Sequence, residues 1–180
     1  MLPLLQTTTL YHRDDILFSE GDSAMDIYFI LVGQFKLYFD CSDTIALDIP
    51  SINLKKQAFN VPFSLQYVGS YFGDEDCFKS MLSGQQQQSS SDAVDIGECT
   101  AVAYEASEIL TVNKHNLLQV LDQFPQYKNE MIKLTKEKQR YYKFLKHEVS
   151  KRYTDHERRD DLIRLRLQQL FITTHMSLKR

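Results

Sequence analysis

Few residues in this 180-residue chain stand at spacings that serve bond-making chemistry. The five histidines, His12, His115, His147, His156 and His175, are scattered, and none has metal-ligand spacing to a cysteine or second histidine. Cys41, Cys77 and Cys99 are odd in number and form no C-x-x-C pair. They read as reduced thiols of a cytosolic compartment, not as a disulfide frame or a metal site. Asp14-Asp15 and Asp160-Asp161 are adjacent pairs, and adjacent strand side chains point to opposite faces, so neither makes an acid–base couple. No G-x-S-x-G turn and no phosphate-loop lysine motif occurs. The expectation is a protein that is not an enzyme and carries no metal or cofactor. What the chain does offer is Gly69-Ser-Tyr-Phe-Gly-Asp74, followed by Glu75 and Asp76. A tight glycine turn leading into a short helix presents backbone N–H groups that suit a buried anion. Such a site also needs one cation, for which the planar fork of arginine is best shaped.

Strands must position that turn. The composition, 43% hydrophobic and 12% aromatic with 25% charged, is that of a globular chain of one domain, or one domain and an appendage. Asp15–Ser19, Asp26–Val32 and Gln34–Phe39 are short runs rich in Ile, Val, Phe and Tyr, separated by Glu20-Gly21-Asp22 and Val32-Gly33-Gln34. Phe35, Leu37 and Phe39 alternate with Gln34, Lys36 and Tyr38, the period of a half-buried strand. Thr44–Ile49, Ser64–Val68, Cys99–Tyr104 and Glu108–Val112 are further strands on this reading. Short strands without alternating helices predict a mainly β architecture, an antiparallel barrel or roll. The polar run GQQQQSSSDAVD at 84–95 has nothing to bury and reads as a mobile surface loop.

From Asn113 onward the period becomes helical. Leu117, Leu118 and Leu121 mark a helix that should stop near Phe124-Pro125. No Pro or Gly interrupts 126–180, where Tyr127, Met131, Leu134, Tyr141, Leu145, Val149 and Tyr153 predict one apolar face. One long helix, or two joined near residue 155, satisfies this pattern. The expected division is a roll with its short helix over 1–125 and a basic helical piece over 126–180. Charge divides at nearly the same place. Residues 1–112 hold 16 acidic and 5 basic side chains, a net of −11, whereas residues 113–180 hold 8 and 16, a net of +8. The two pieces should attract each other or different partners. The basic residues of the tail are interleaved with Glu and Asp and contain no nucleic-acid-reading motif, so nucleic acid is not an expected partner. No apolar run is long enough to span a bilayer.

Taken together, the stretch from Asp15 to Tyr38, with its Glu20-Gly21-Asp22 turn and its Met25-Asp-Ile-Tyr-Phe-Ile30 strand, resembles the opening of cyclic nucleotide-binding domains. Gly69–Asp74 is similar to their phosphate-binding cassette, which reads Gly-x-x-Phe-Gly-Glu. Thr100–Val112 resembles their two closing strands, and 113–125, ending in Phe124-Pro125, their helix ahead of the lid helix. The likeness covers roughly residues 4–145 in order, and it implies a mainly β fold with some α: an eight-stranded antiparallel, jelly-roll-like β-roll with a cassette helix near Glu75–Leu82. It implies a cAMP or cGMP site formed by Phe72, Gly73, Asp74, Glu75, Cys77, Gly97, Glu98, Thr100 and Ala101, with Lys138 on the lid. In the family a Glu after Phe-Gly takes the ribose hydroxyl and an Arg before the penultimate strand takes the phosphate. Here Asp74 replaces the former, and Gly97 or Glu98 stands where the latter should be. No Lys or Arg occurs between Met81 and Asn113. Loss of a buried phosphate partner costs about 2–5 kcal/mol, or roughly two to three decades of affinity.

What the resemblance implies is a cytoplasmic regulatory domain with weakened or lost nucleotide binding. Its partner would be the remainder of a membrane-associated parent, a cation or potassium channel, because Phe124-Pro125 before a long helix is similar to the channel members. A functional cAMP or cGMP sensor for a channel or kinase is one alternative. A ligand-free assembly module using 126–171 as an oligomerising helix is the other. The chain also lacks most of the helix that precedes the roll in the family, so Met1 reads as the edge of a fragment or subdomain.

Overall fold

The computed structural model describes residues 6–41, 60–79 and 95–177, with side chains from Thr8 to His156 within those ranges. The strands are β1 (Gln6–Tyr11), β2 (Ile16–Phe18), β3 (Asp26–Val32), β4 (Gln34–Asp40), β5 (Asn60–Tyr67), β6 (Tyr71–Phe72), β7 (Thr100–Ala103) and β8 (Ser107–Asn113). The helices are α1 (Asp74–Cys77), α2 (Lys114–Leu121) and α3 (Pro125–Ser177). Two four-stranded antiparallel sheets face each other, in the orders β1-β8-β3-β6 and β2-β7-β4-β5. This is the expected β-roll.

Alternation in the sequence becomes the core. In β4, Phe35, Leu37 and Phe39 are buried while Gln34, Lys36 and Tyr38 are only partly covered. Phe72 is fully buried, and its ring lies 5.6 to 6.1 Å from those of Tyr28, Phe35 and Phe18. This aromatic cluster anchors β6, and with it the turn that launches α1. Gly73, between β6 and α1, has φ of +90°, and a Cβ there would stand 2.9 Å from the Asp26 carbonyl oxygen. Only glycine satisfies both constraints cheaply.

Several expectations change. β1 was not among the expected strands. It is polar and edge-bound, Leu10 is 75% exposed, and only Tyr11 packs on the core, so no apolar alternation announces it. The expected strand Thr44–Ile49 and residues 84–94 of the expected loop lie outside the described residues, as do Ser80, Met81 and Leu82 of the expected cassette helix. The helical tail is one element, α3, rather than two joined near residue 155. Asn113 caps α2 by accepting the His115 N–H at 3.0 Å. Among the described residues no helix is long and apolar enough to cross a membrane.

The expected apolar face of α3 is also corrected. Tyr127, Leu134, Tyr141 and Tyr153 are exposed, whereas Met131, Leu145 and Val149 are partly buried against the roll. The positions most deeply buried are Thr135, Tyr142, Ser150 and Thr154. Thr135 and Tyr142 find partners in the roll, whereas the Thr154 hydroxyl donates to the Ser150 carbonyl within the helix.

Candidate functional site

Asp74 is the centre of those partners. It is the first residue of α1 and is fully buried. From α3, the Thr135 hydroxyl donates to Asp74 Oδ2 at 2.7 Å and Lys138 Nζ donates to Oδ1 at 2.6 Å. The same ammonium donates to the Tyr71 carbonyl at 2.7 Å and lies 4.3 Å from the centroid of the Tyr71 ring. Its third neighbour is Glu75 Oε2, 3.5 Å away. Steps of three and four residues along α3 then bring Tyr142 and Lys146 over the roll. The Tyr142 hydroxyl accepts from Gln66 Nε2 at 2.8 Å, and its ring packs edge-on against Phe63 at 5.3 Å.

Burial and charge set the protonation states. Desolvation pushes the Glu75 carboxyl up to about 8; the Lys138 ammonium opposes this, and the neighbouring Asp74 carboxylate adds to the rise. Burial opposes the Lys138 ammonium, but Glu75 and Asp74 outweigh it and hold the group above its usual value. An ionised lysine against a carboxylate, both removed from water, is a strong tie only where further hydrogen bonds satisfy their other polar atoms. Thr135 on Asp74 and the Tyr71 carbonyl on Lys138 supply two such bonds.

A second cluster fills the corner where the phosphate cation was expected. Asp76 Oδ2 accepts the Glu98 backbone N–H at 3.0 Å. The Glu98 side chain pairs with Lys79, while its carbonyl accepts from Lys146 Nζ at 2.6 Å. Lys146 therefore brings a cation to this corner from a distant part of the chain, where it lies 5.1 Å from the centroid of the Phe63 ring and 5.8 Å from that of Phe39. The space left between α1, β5 and α3, walled by Phe63, Glu75, Asp76, Glu98, Tyr142 and Lys146, is a cavity of about 20 Å³. That is room for about one water molecule.

The residues implied by the resemblance separate into three groups. Asp74, Glu75 and Lys138 converge on one ion-paired centre. Glu98 lies in the second cluster, and Gly97 precedes it in a turn where its N–H donates to the Asp22 carbonyl at 2.9 Å. The remainder serve the scaffold. Phe72 and Ala101 are core residues, Gly73 makes the turn, and Cys77 Sγ donates to the Asp26 carbonyl at 3.2 Å. Thr100 accepts the Glu20 N–H through its hydroxyl at 2.9 Å. Thr135, Tyr71, Tyr142, Gln66 and Lys146 were not singled out from sequence. Their signal was present in 135, 138, 142 and 146, a polar line at helical spacing beside the apolar one.

No family model matches the chain, and no curated protein matches it. Solved structures do. A transcriptional regulator from Thermotoga maritima superposes with a TM-score of 0.54 at 14% identity, over 82% of this chain and 91% of that one. FixK2 from Bradyrhizobium japonicum gives 0.52 at 14% identity over 77% of this chain. The N-terminal domain of a transcriptional regulator from Streptomyces coelicolor A3(2) gives 0.51 at 15% identity, over 76% of this chain and 77% of that one. The chain spans 54% of FixK2, about half of that protein. At these identities the likeness is one of fold. The chain shares the two-sheet β-roll fold of these regulators.

Proposed function

We propose that this chain is a regulatory domain of the cyclic nucleotide-binding type whose nucleotide site is closed by its own lid helix. Lys138 and Thr135 of α3 occupy Asp74, the position implied for the ribose contact, and this observation carries the reading. Asp76 and Glu98 hold the corner implied for the phosphate. A cyclic nucleotide would have to break the buried ion pair and bring its phosphate beside Asp76 and Glu98, where the nearby cations Lys79 and Lys146 are already engaged by Glu98. Affinity for cAMP or cGMP is accordingly weak or absent, and α3 rests in the closed position without a guest. Residues 126–180 act as lid and relay to an attached effector, and residues 126–171 are available for helix-mediated assembly.

The effector is the finer question. Phe124-Pro125 before a long helix supports the cytoplasmic part of a cation or potassium channel. The transcriptional regulators among the structural neighbours favour a second reading, a DNA-binding parent that moves with α3. Calorimetry with cAMP and with cGMP at millimolar concentration tests the closed-site reading. The expected result is no saturable heat, and micromolar saturable binding of either nucleotide would refute it.

A further inference from the structure

The closed site is chemically a receptor for an ammonium group. Lys138 Nζ carries three N–H donors in a tetrahedral array. Two of them meet acceptors at hydrogen-bond length, Asp74 Oδ1 and the Tyr71 carbonyl. The rings of Tyr71 and Tyr142, with centroids 4.3 and 5.8 Å from the nitrogen, add the attraction of an aromatic face for a cation. The third donor is poorly served. Glu75 Oε2 stands 3.5 Å away, beyond a good hydrogen bond. Among the described residues that oxygen has no hydrogen-bond partner, although only 7% of the Glu75 side chain is exposed.

The stem of Lys138 is tethered to α3, which Thr135 on Asp74 and Tyr142 on Gln66 dock on either side of it, so its ammonium serves Asp74 and Tyr71 before Glu75. An untethered ammonium is under no such restraint. We propose that the Asp74–Glu75 pocket is a binding site for a small primary alkylammonium compound, which replaces Lys138, satisfies Asp74, Tyr71 and Glu75 together, and releases α3 from the roll. This rests on the self-closed reading above and gives it an opening signal. The guest must carry N–H donors, so a quaternary ammonium does not qualify. Its short alkyl stem follows the path of the lysine side chain past the rings of Tyr71 and Tyr142.

The test uses the full chain and n-propylammonium, whose three carbons and one nitrogen reproduce what Lys138→Ala removes. The K138A variant is expected to bind it saturably, at least about tenfold more tightly than the wild type. Binding should disappear when Asp74→Asn is added, and tetramethylammonium should not compete. In the wild type, the amine should bind more weakly and speed amide hydrogen exchange along 131–150 of α3. Absence of saturable binding to K138A, or binding that survives Asp74→Asn, overturns the proposal. If K138A does not fold, the wild-type exchange experiment decides alone, and no amine-dependent change in α3 counts against the site. Failure with the amine leaves the self-closed reading standing, whereas saturable cAMP binding would remove that reading whatever the amine does.

Discussion

Lys138 and Asp74 lie 64 residues apart in the chain and 2.6 Å apart in the fold. One sits on α3 and the other is the first residue of α1, so this contact joins those of Thr135 and Tyr142 in holding α3 against the roll. Lys138→Met leaves the Asp74 carboxylate buried with one charge partner missing, and unfolding free energy should fall by about 3–5 kcal/mol. The double variant with Asp74→Asn should lose much less than the sum of the two single changes. A double-mutant cycle by urea denaturation measures this, and additivity within about 0.5 kcal/mol would contradict the coupling.

Glu75 supplies a pH dependence. Its carboxyl is raised in the folded state, so the folded chain holds this proton more firmly than the unfolded chain. Its contribution to stability is therefore complete below its ordinary value of 4.5 and is lost as pH rises toward about 8. Asp76, also raised by burial, works in the same direction, whereas Lys138 acts only at more alkaline pH. Glu75→Gln, which mimics the protonated group, should be less sensitive than the wild type between about pH 5 and 8. Thermal denaturation across that range checks it, and parallel curves for the two proteins would contradict the assignment.

Two glycines of the cassette should respond differently to alanine. At Gly73 a Cβ meets the Asp26 carbonyl at 2.9 Å and the backbone has φ of +90°, so Gly73→Ala should cost about 2 kcal/mol or more. At Gly97 the nearest atom is 3.5 Å away and Gly97→Ala should cost less than about 1 kcal/mol. Chemical denaturation of the two variants provides the comparison. Equal losses would mean that the turn at Gly73 does not constrain the cassette.

The long helix also makes a prediction about assembly. If 126–171 joins copies or partners, a chain ending at Ser150 should lose oligomers while keeping the Thr135, Lys138 and Tyr142 contacts. Light scattering reads the first and hydrogen exchange at the roll reads the second. An unchanged oligomeric state would remove the assembly role.

The roll was legible because its strands carry a period of two and its turns carry glycine, as in Phe35-Lys36-Leu37-Tyr38-Phe39 between Gly33 and the β5 strand. β1 was not legible, since an edge strand of three consecutive threonines needs only its pairing with β8 to exist. Lys138 could be placed on the lid by counting from Phe124-Pro125. Its attachment to Asp74 could not, because helical periodicity ranks residues by hydropathy and the docked face of α3 is partly polar. Thr135, Tyr142 and Ser150 are buried there while Tyr127 and Tyr141 face solvent. The sequence places no Arg or Lys close in the chain to the corner implied for the phosphate, yet Lys146 reaches Glu98 there from α3, a contact that only the tertiary fold creates.

The ammonium of Lys138 can be observed directly by nitrogen-15 NMR of the lysine side chains. Bound to the Asp74 carboxylate and the Tyr71 carbonyl, it should give a resolved, slowly exchanging signal that vanishes in Asp74→Asn and does not move with excess cAMP. A Lys138 signal in fast exchange with water, like those of exposed lysines, would contradict the closed lid, and so would one displaced by cAMP.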